Sequence, residues 1–351
     1  NYYAPEDVTS RGFEMEVTGK VGKHAKVTAG FTHLKLTDPA GNDTFDTHID
    51  TIADLGAMQG FETLSKTGSG NLNINGPLPS DFTAVQVQQG TLNVTAAGDV
   101  VAAPGNTLAT TVASGATLNV DGRYGCGSGN DSMTVAGTVS GTGTIDLCGG
   151  DDTLTLQDGA AINNAISGGA GGSDTLALDS AVALVFDGGN TDGFERLRKD
   201  NAGTATVTGT QTFVDGTTIT AGTLDIDGTL ETPTIDLADA AVLKVDGIVQ
   251  APGTGATIIA GTAGVNTVAV GAAGVLHAIG DLGGGNDTLD VAGTLDTNGG
   301  IFRLGDGDDN FVVHDGTVVL GTVDGGAGLD TRTYDIDTTA SFGALANFEG
   351  L

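Results

Sequence analysis

Apolar and polar residues alternate in short runs along most of the chain, as in Thr91-Leu92-Asn93-Val94, Thr153-Leu154-Thr155-Leu156 and Thr223-Leu224-Asp225-Ile226. A period of two over four or five residues, bounded by Gly, Asn and Asp, predicts short β-strands with one face turned to a core. Val, Ile, Leu and Ala are expected to face inward, and Thr, Asn and Asp outward. The predicted class is all-β.

The runs recur at long range. "GNDTFDTHIDTIADLGAMQGFETL" (41 to 64) returns as "GLDTRTYDIDTTASFGALANFEGL" (328 to 351), and a related "GGSDTLALDSAVALVFDGGNTDGFERL" occupies 171 to 197. Past the shared Phe-Glu-x-Leu, "FETLSKTGSGNLNING" (61 to 76) matches "FERLRKDNAGTATVTG" (194 to 209), and "GNDSMTVAGTV" (129 to 139) matches "GNDTLDVAGTL" (285 to 295). Within each copy the turn aspartates Asp131, Asp152 and Asp174, and again Asp287, Asp309 and Asp330, recur at a near-constant interval. One turn signal and several strand-like segments per twenty-odd residues mark a solenoid coil. The expected fold is a right-handed parallel β-helix of about 20–22 residues per coil; some 14 coils would make a rod of the order of 65 Å at strand spacing. The boundaries expected are 41–173 for a first unit, 174–329 for a second and 330–351 for the start of a third.

Residues 1–40 differ in kind. "SRGFEMEVTGKV" and "AKVTAGFTHLKL" read as two strands of about ten residues joined by a "GKH" turn. That is either a β-hairpin of transmembrane type or a cap shielding the solenoid end from edge pairing. These forty residues hold five basic and five acidic side chains, so of the 13 basic and 44 acidic residues the remaining 311 hold eight and 39. A formal charge of −31 repels nucleic acid and anionic lipid, which sets nucleic-acid binding aside. No run of 18 apolar residues occurs, and no signal peptide opens the chain, which reads as a fragment, a mature piece or a fusion.

Cys126 and Cys148 are separated by the same interval, one coil, and the second copy lacks both, with Leu282 and Gly305 at the matching positions. Stacked coils would bring two such cysteines within disulfide range, which implies an extracytoplasmic compartment; two free thiols is the alternative. "GCGSGNDSM", "LCGGDDTL", "LGGGNDTL" and "LGDGDDNF" resemble halves of the RTX calcium nonapeptide, but recur once per coil rather than every nine residues. Plain turn chemistry is one reading. Weak calcium binding through Asp131, Asp152, Asp287 and Asp309 is the other, and no other cofactor is indicated. The five histidines, His24, His33, His48, His277 and His314, do not cluster, and no serine stands in a G-x-S-x-G elbow. No catalytic residue is assigned. Arg196, Arg198 and Lys199 form the single basic cluster, either a solvated face or a contact patch on an acidic rod.

The strings "FETLSKTGSGNLNING", "QGTLNV" and "GNDSMTVAGTV" resemble those of the β-helical passenger domains of Gram-negative autotransporters, over residues 41–351. That resemblance implies a place at the bacterial outer membrane or cell surface, or secretion, and an outer-membrane β-barrel translocator that has no counterpart here. It also implies a host or cell-surface protein or glycan as partner, bound without catalysis by a monomer acting in adhesion, immune evasion or serum resistance. "VTSRGFEMEVTGKV" and "AKVTAGFTHLKLTDP" resemble barrel strands of TonB-dependent siderophore receptors. A structural stalk, a polysaccharide-active β-helix enzyme and a receptor fragment are the competing readings.

Overall fold

The computed structural model describes residues 44–349 except 51, 56–60, 79–81 and 254, and before them the backbone of strands Val8–Arg11, Glu16–Val21, Ala25–Gly30 and His33–Leu36. Every element among the described residues is a strand. The chain divides into two compact units, residues 1–175 with 190–194, and residues 176–189 with 195–351. Both are parallel β-solenoids, about 14 turns in all.

The first unit has three faces. Thr44–His48, Thr63–Thr67, Ala84–Val87, Ala109–Val112, Ser132–Val135 and Thr153–Gln157 pair in parallel succession on one. Strands from Ile52–Leu55 to Ala161–Ile162 form the second, and strands from Asp99–Val101 to Thr191–Asp192 the third. Identical registers stack like side chains. Leu72, Leu92 and Leu118 form one buried column, with Ile74, Val94 and Val120 beside it. Each such side chain removed from water contributes about 1.5–3 kcal/mol. On the outer side of the same strands Asn119 donates to Asn93 (2.8 Å) and Asn93 to Asn73 (3.0 Å), an amide ladder that fixes the register.

The second unit repeats the scheme. Its long inner column runs Leu184, Ala205, Leu224, Leu243, Val268, Leu289, Phe311, Arg332, and the next runs Phe186, Val207, Ile226, Val245, Val270, Val291, Val313, Tyr334. Gly280 falls where a Cβ would lie 3.1 Å from the Phe302 ring, so glycine there makes room for the larger side chain on the next coil.

The coil length is less regular than the aspartate spacing predicts. Thr204 pairs with Thr223 to close a short coil, whereas Thr91 pairs with Thr117 to close a distinctly longer one. Corner loops absorb the difference, because only the strands must keep register.

At the N-terminal end Glu16–Val21 pairs antiparallel with Ala25–Gly30, and Val8–Arg11 with His33–Leu36, so the pairs nest as one hairpin. Each expected ten-residue arm contains two of these strands, and the residues between them, like the "GKH" turn, lie outside the described residues. His33–Leu36 also pairs antiparallel with Thr44–His48, the first solenoid strand. That pairing occupies an edge which would otherwise be open.

Candidate functional site

Alternation places the basic cluster on two sides of the wall. In Arg196–Asp200 the side chains of Arg196 and Arg198 point outward, whereas Lys199 follows Leu197 inward and is fully buried. Sequence proximity made the three look like one patch; strand parity separates them. Arg196 Nη2 lies 4.0 Å from Asp215, and Arg198 Nε donates to Asp200 at 2.7 Å. Both guanidinium groups stay about half exposed.

Lys199 Nζ donates to the carbonyls of Asp200 (2.6 Å), Asn201 (2.7 Å) and Ala221 (3.3 Å). The matching residue of the first unit, Lys66, is also fully buried and donates to the carbonyls of Thr67 (2.9 Å), Gly68 (2.8 Å) and Gln89 (2.9 Å). An ammonium has three donors, and three carbonyls receive them. Burial pushes Lys66 down to about 8 while Asp50 pulls it up, so at neutral pH it keeps its proton. Each lysine thus ties its own corner to the coil that follows. The glycines of "QGTL" and "AGTL" belong to the same device: at Gly90 (φ +70°) a Cβ would lie 2.5 Å from the Gly68 carbonyl oxygen, and at Gly222 (φ +70°) 2.6 Å from that of Asn201.

The turn aspartates also face inward, against the expectation that they would lie outside. Asp131, Asp152, Asp174, Asp287, Asp309 and Asp330 are all buried. All but Asp330, which precedes Arg332, stand two residues before an inward apolar residue, in the pattern Asp309-x-Phe311-x-Val313, so the strand's parity carries them inside. Their Oδ1 atoms accept backbone N–H groups of the preceding coil: Leu108 donates to Asp131 (2.6 Å), Asp131 to Asp152 (2.6 Å) and Asp152 to Asp174 (2.7 Å). In the second unit Asn266 donates to Asp287 (2.6 Å), Asp287 to Asp309 (2.7 Å) and Asp309 to Asp330 (2.9 Å). Oδ2 of Asp131, Asp152, Asp287, Asp309 and Asp330 has no hydrogen-bond partner. Burial, reinforced by neighbouring aspartates, pushes Asp152, Asp287 and Asp309 up to about 6. The geometry makes these carboxyls interior ladders that pin successive coils.

Among the described residues, Asp225, Asp227 and Asp246 are the one acidic group able to bring three ligand oxygens within 4.8 Å of one another. Sequence reading missed it, although Leu224-Asp225-Ile226-Asp227-Gly228 and Leu243-Lys244-Val245-Asp246-Gly247 share the frame Leu-x-x-Asp-Gly one coil apart. The cluster holds its own cation: Lys244 Nζ donates to both Asp225 oxygens at 3.2 Å and to Asp246 Oδ2. That bond to Asp246 leads the causes that push Lys244 up, while burial pushes Asp225 up.

The described histidines are half-exposed and each sits beside a carboxylate. His48 lies 3.2 Å from Asp50, His277 3.3 Å from Asp296, and His314 2.8 Å from Asp290 and 3.3 Å from Asp335. His24 lies outside the described residues, as does the side chain of His33.

Strand register sets Gly127 opposite Cys148, which places Cys126 and Cys148 on adjacent strands. The side chain of Cys126 lies outside those described. Comparison of the chain with protein-family models, curated proteins and solved structures finds no match.

Proposed function

We propose that this chain is a non-enzymatic binding domain displayed at a bacterial surface, in the manner of an autotransporter passenger. In this reading it meets a host or cell-surface protein or glycan through the side of its second unit. One observation supports it most: Arg196 and Arg198 project outward, about half exposed, from a chain of formal charge −31, which makes them conspicuous contact points on an acidic wall. Regular stacked side chains give that face length. The test is capture by the immobilised full chain from serum and from cell-surface extract, set against the double variant R196E/R198E and an unrelated acidic protein. Saturable retention that the variant loses supports the reading. Retention equal to that of the acidic control contradicts it.

A second reading, a polysaccharide-active enzyme, draws on the convergence of Asp225, Asp227 and Asp246 around Lys244. Glycosidic hydrolysis uses a pair of carboxyl groups, one as acid and one as base or nucleophile, and the protonated Lys244 beside them would hold an acidic substrate. Release of reducing ends from acidic polysaccharides, abolished by K244M, would establish it; no release above a heat-denatured control removes it.

Two site proposals accompany this function. A Cys126–Cys148 bond would staple adjacent coils, and peptide mass spectrometry under non-reducing conditions that finds both thiols alkylated ends it. Calcium at Asp131, Asp152, Asp287 and Asp309 would have to use their Oδ2 atoms, and a calorimetric titration without heat disposes of it.

A further inference from the structure

Strand register brings together two histidines that the sequence keeps apart. His33–Leu36 runs antiparallel to Thr44–His48, with His33 directly opposite His48, Leu34 opposite Thr47 and Lys35 opposite Asp46. Residues at opposite positions of an antiparallel pair are near neighbours, with Cβ atoms about 4.5–5.5 Å apart. His48 lies on the outer side of its strand, whose inward residues are Phe45 and Thr47. Two residues on, the Oδ2 atom of Asp50 lies 3.2 Å from His48 Nε2. The other oxygen, Oδ1, accepts the backbone N–H of Ser69 at 3.3 Å, which holds the carboxylate against the next coil.

The hydrogen bonds around His48 fix which ring nitrogen carries a proton. Thr67 Oγ1 donates its one hydrogen to the carbonyl of Thr47 at 2.8 Å. Towards His48 Nδ1, 3.2 Å away, that oxygen can therefore only accept, so Nδ1 is the N–H. In the neutral imidazole Nε2 then holds a lone pair, and it faces a carboxylate oxygen that is also only an acceptor. Such a contact needs a cation between the two atoms, either a proton or a metal ion. An imidazole whose far N–H is tied to an oxygen while its near nitrogen is left to bind is how metal-ligating histidines are held. The spacing agrees: ligands about 2.1 Å from a tetrahedral zinc-type ion stand about 3.4 Å from one another. His314, by contrast, has a carboxylate beside each nitrogen, which suits two N–H donors.

We propose that His48 Nε2, the Asp50 carboxylate and His33 form a site for a divalent transition-metal ion of the zinc class. Imidazole nitrogens select such ions over calcium and magnesium, which take oxygen ligands. His33 belongs to the nested hairpin and His48 to the first solenoid strand, so the ion clips one to the other. Water completes the coordination, since His48 and Asp50 are about half exposed. The site shares no residue with the contact proposed at Arg196 and Arg198 or with the turn aspartates, so each proposal can fail alone.

The test titrates the full chain, first stripped with a chelator, with zinc chloride in a calorimeter near neutral pH and an excess of calcium. One zinc ion per chain is expected, undisturbed by the calcium. His48→Ala, His33→Ala and Asp50→Asn, each with circular dichroism unchanged, should weaken binding at least tenfold. Thr67→Val should weaken it about tenfold by untying the ring. His277→Ala and His314→Ala should leave it as it was. Zinc should also slow amide exchange in residues 33–36 and 44–48 severalfold, which an ion held elsewhere on the acidic surface would not do. Absence of zinc binding overturns the proposal, the cation between His48 and Asp50 then being a proton. So does binding that survives His48→Ala, which places the ion elsewhere. Full affinity in His33→Ala removes the hairpin from the site and overturns the clip.

Discussion

The coil that begins at Thr44 and the one that begins at Thr331 are written in nearly the same letters and meet opposite fates. In the first, the inward side chains are sealed; in the second, they lie partly open. Sequence decides which way a side chain points, but only the neighbouring coil decides whether that position is dry. Inside a sealed coil even charged groups become structural, as Lys66 and Lys199 do. On the outer wall a charge one residue away, Arg198, keeps its contact with water.

The largest expected effect follows from that contrast. Lys66→Met removes the side-chain donor to the carbonyls of Gly68 and Gln89, and Lys199→Met that to the carbonyls of Asp200, Asn201 and Ala221, at up to about 1–3 kcal/mol for each group that water does not reach. Either variant should lower the midpoint of thermal unfolding by many degrees. Arg198→Met, one residue from Lys199 but outward, should change stability by no more than about 0.5 kcal/mol.

Next come the apolar rungs. Leu72→Ala, inside a covered coil, should cost about 2–5 kcal/mol in urea unfolding. Phe342→Ala in the open coil should cost well under half of that, and equal losses would show that the last coil is as well covered as the first.

A smaller effect concerns pH. Asp152, Asp287 and Asp309 bind protons more readily folded, near pH 6, than at their ordinary value of 3.8. The folded state therefore holds more protons between those values, so stability falls as pH rises through 4 to 6 and is lower at pH 7 than at pH 5. Relief of general repulsion among the other acids acts in the same direction, so the variant decides. Asp309→Asn keeps a carbonyl oxygen for the Asp287 N–H and removes the buried charge. It should flatten the pH dependence measured by thermal unfolding without loss at pH 7; an unchanged slope would show that this carboxyl does not titrate there.

Much of this was readable beforehand. Short alternating strings and the recurrent aspartates foretold parallel coils, and the shared Phe-Glu-x-Leu brought the long repeats into register. Parity within Arg196–Asp200 would also have sent Lys199 inward, but charge suggested solvent, and the carbonyl cradle that compensates burial is assembled partly from Ala221 on the next coil. The aspartates misled in the same way: their acceptor role depends on N–H groups one coil upstream. The Asp225, Asp227 and Asp246 cluster needed the register between strands, which no single stretch contains.

The most direct test of the central claim, that side-chain parity makes neighbouring charges either interior ties or outer contacts, compares thermal unfolding of K199M and R198M at pH 7 with that of the unaltered chain. The account predicts a large drop for K199M and almost none for R198M. Equal midpoints for the two variants, or a larger drop for R198M, would contradict it.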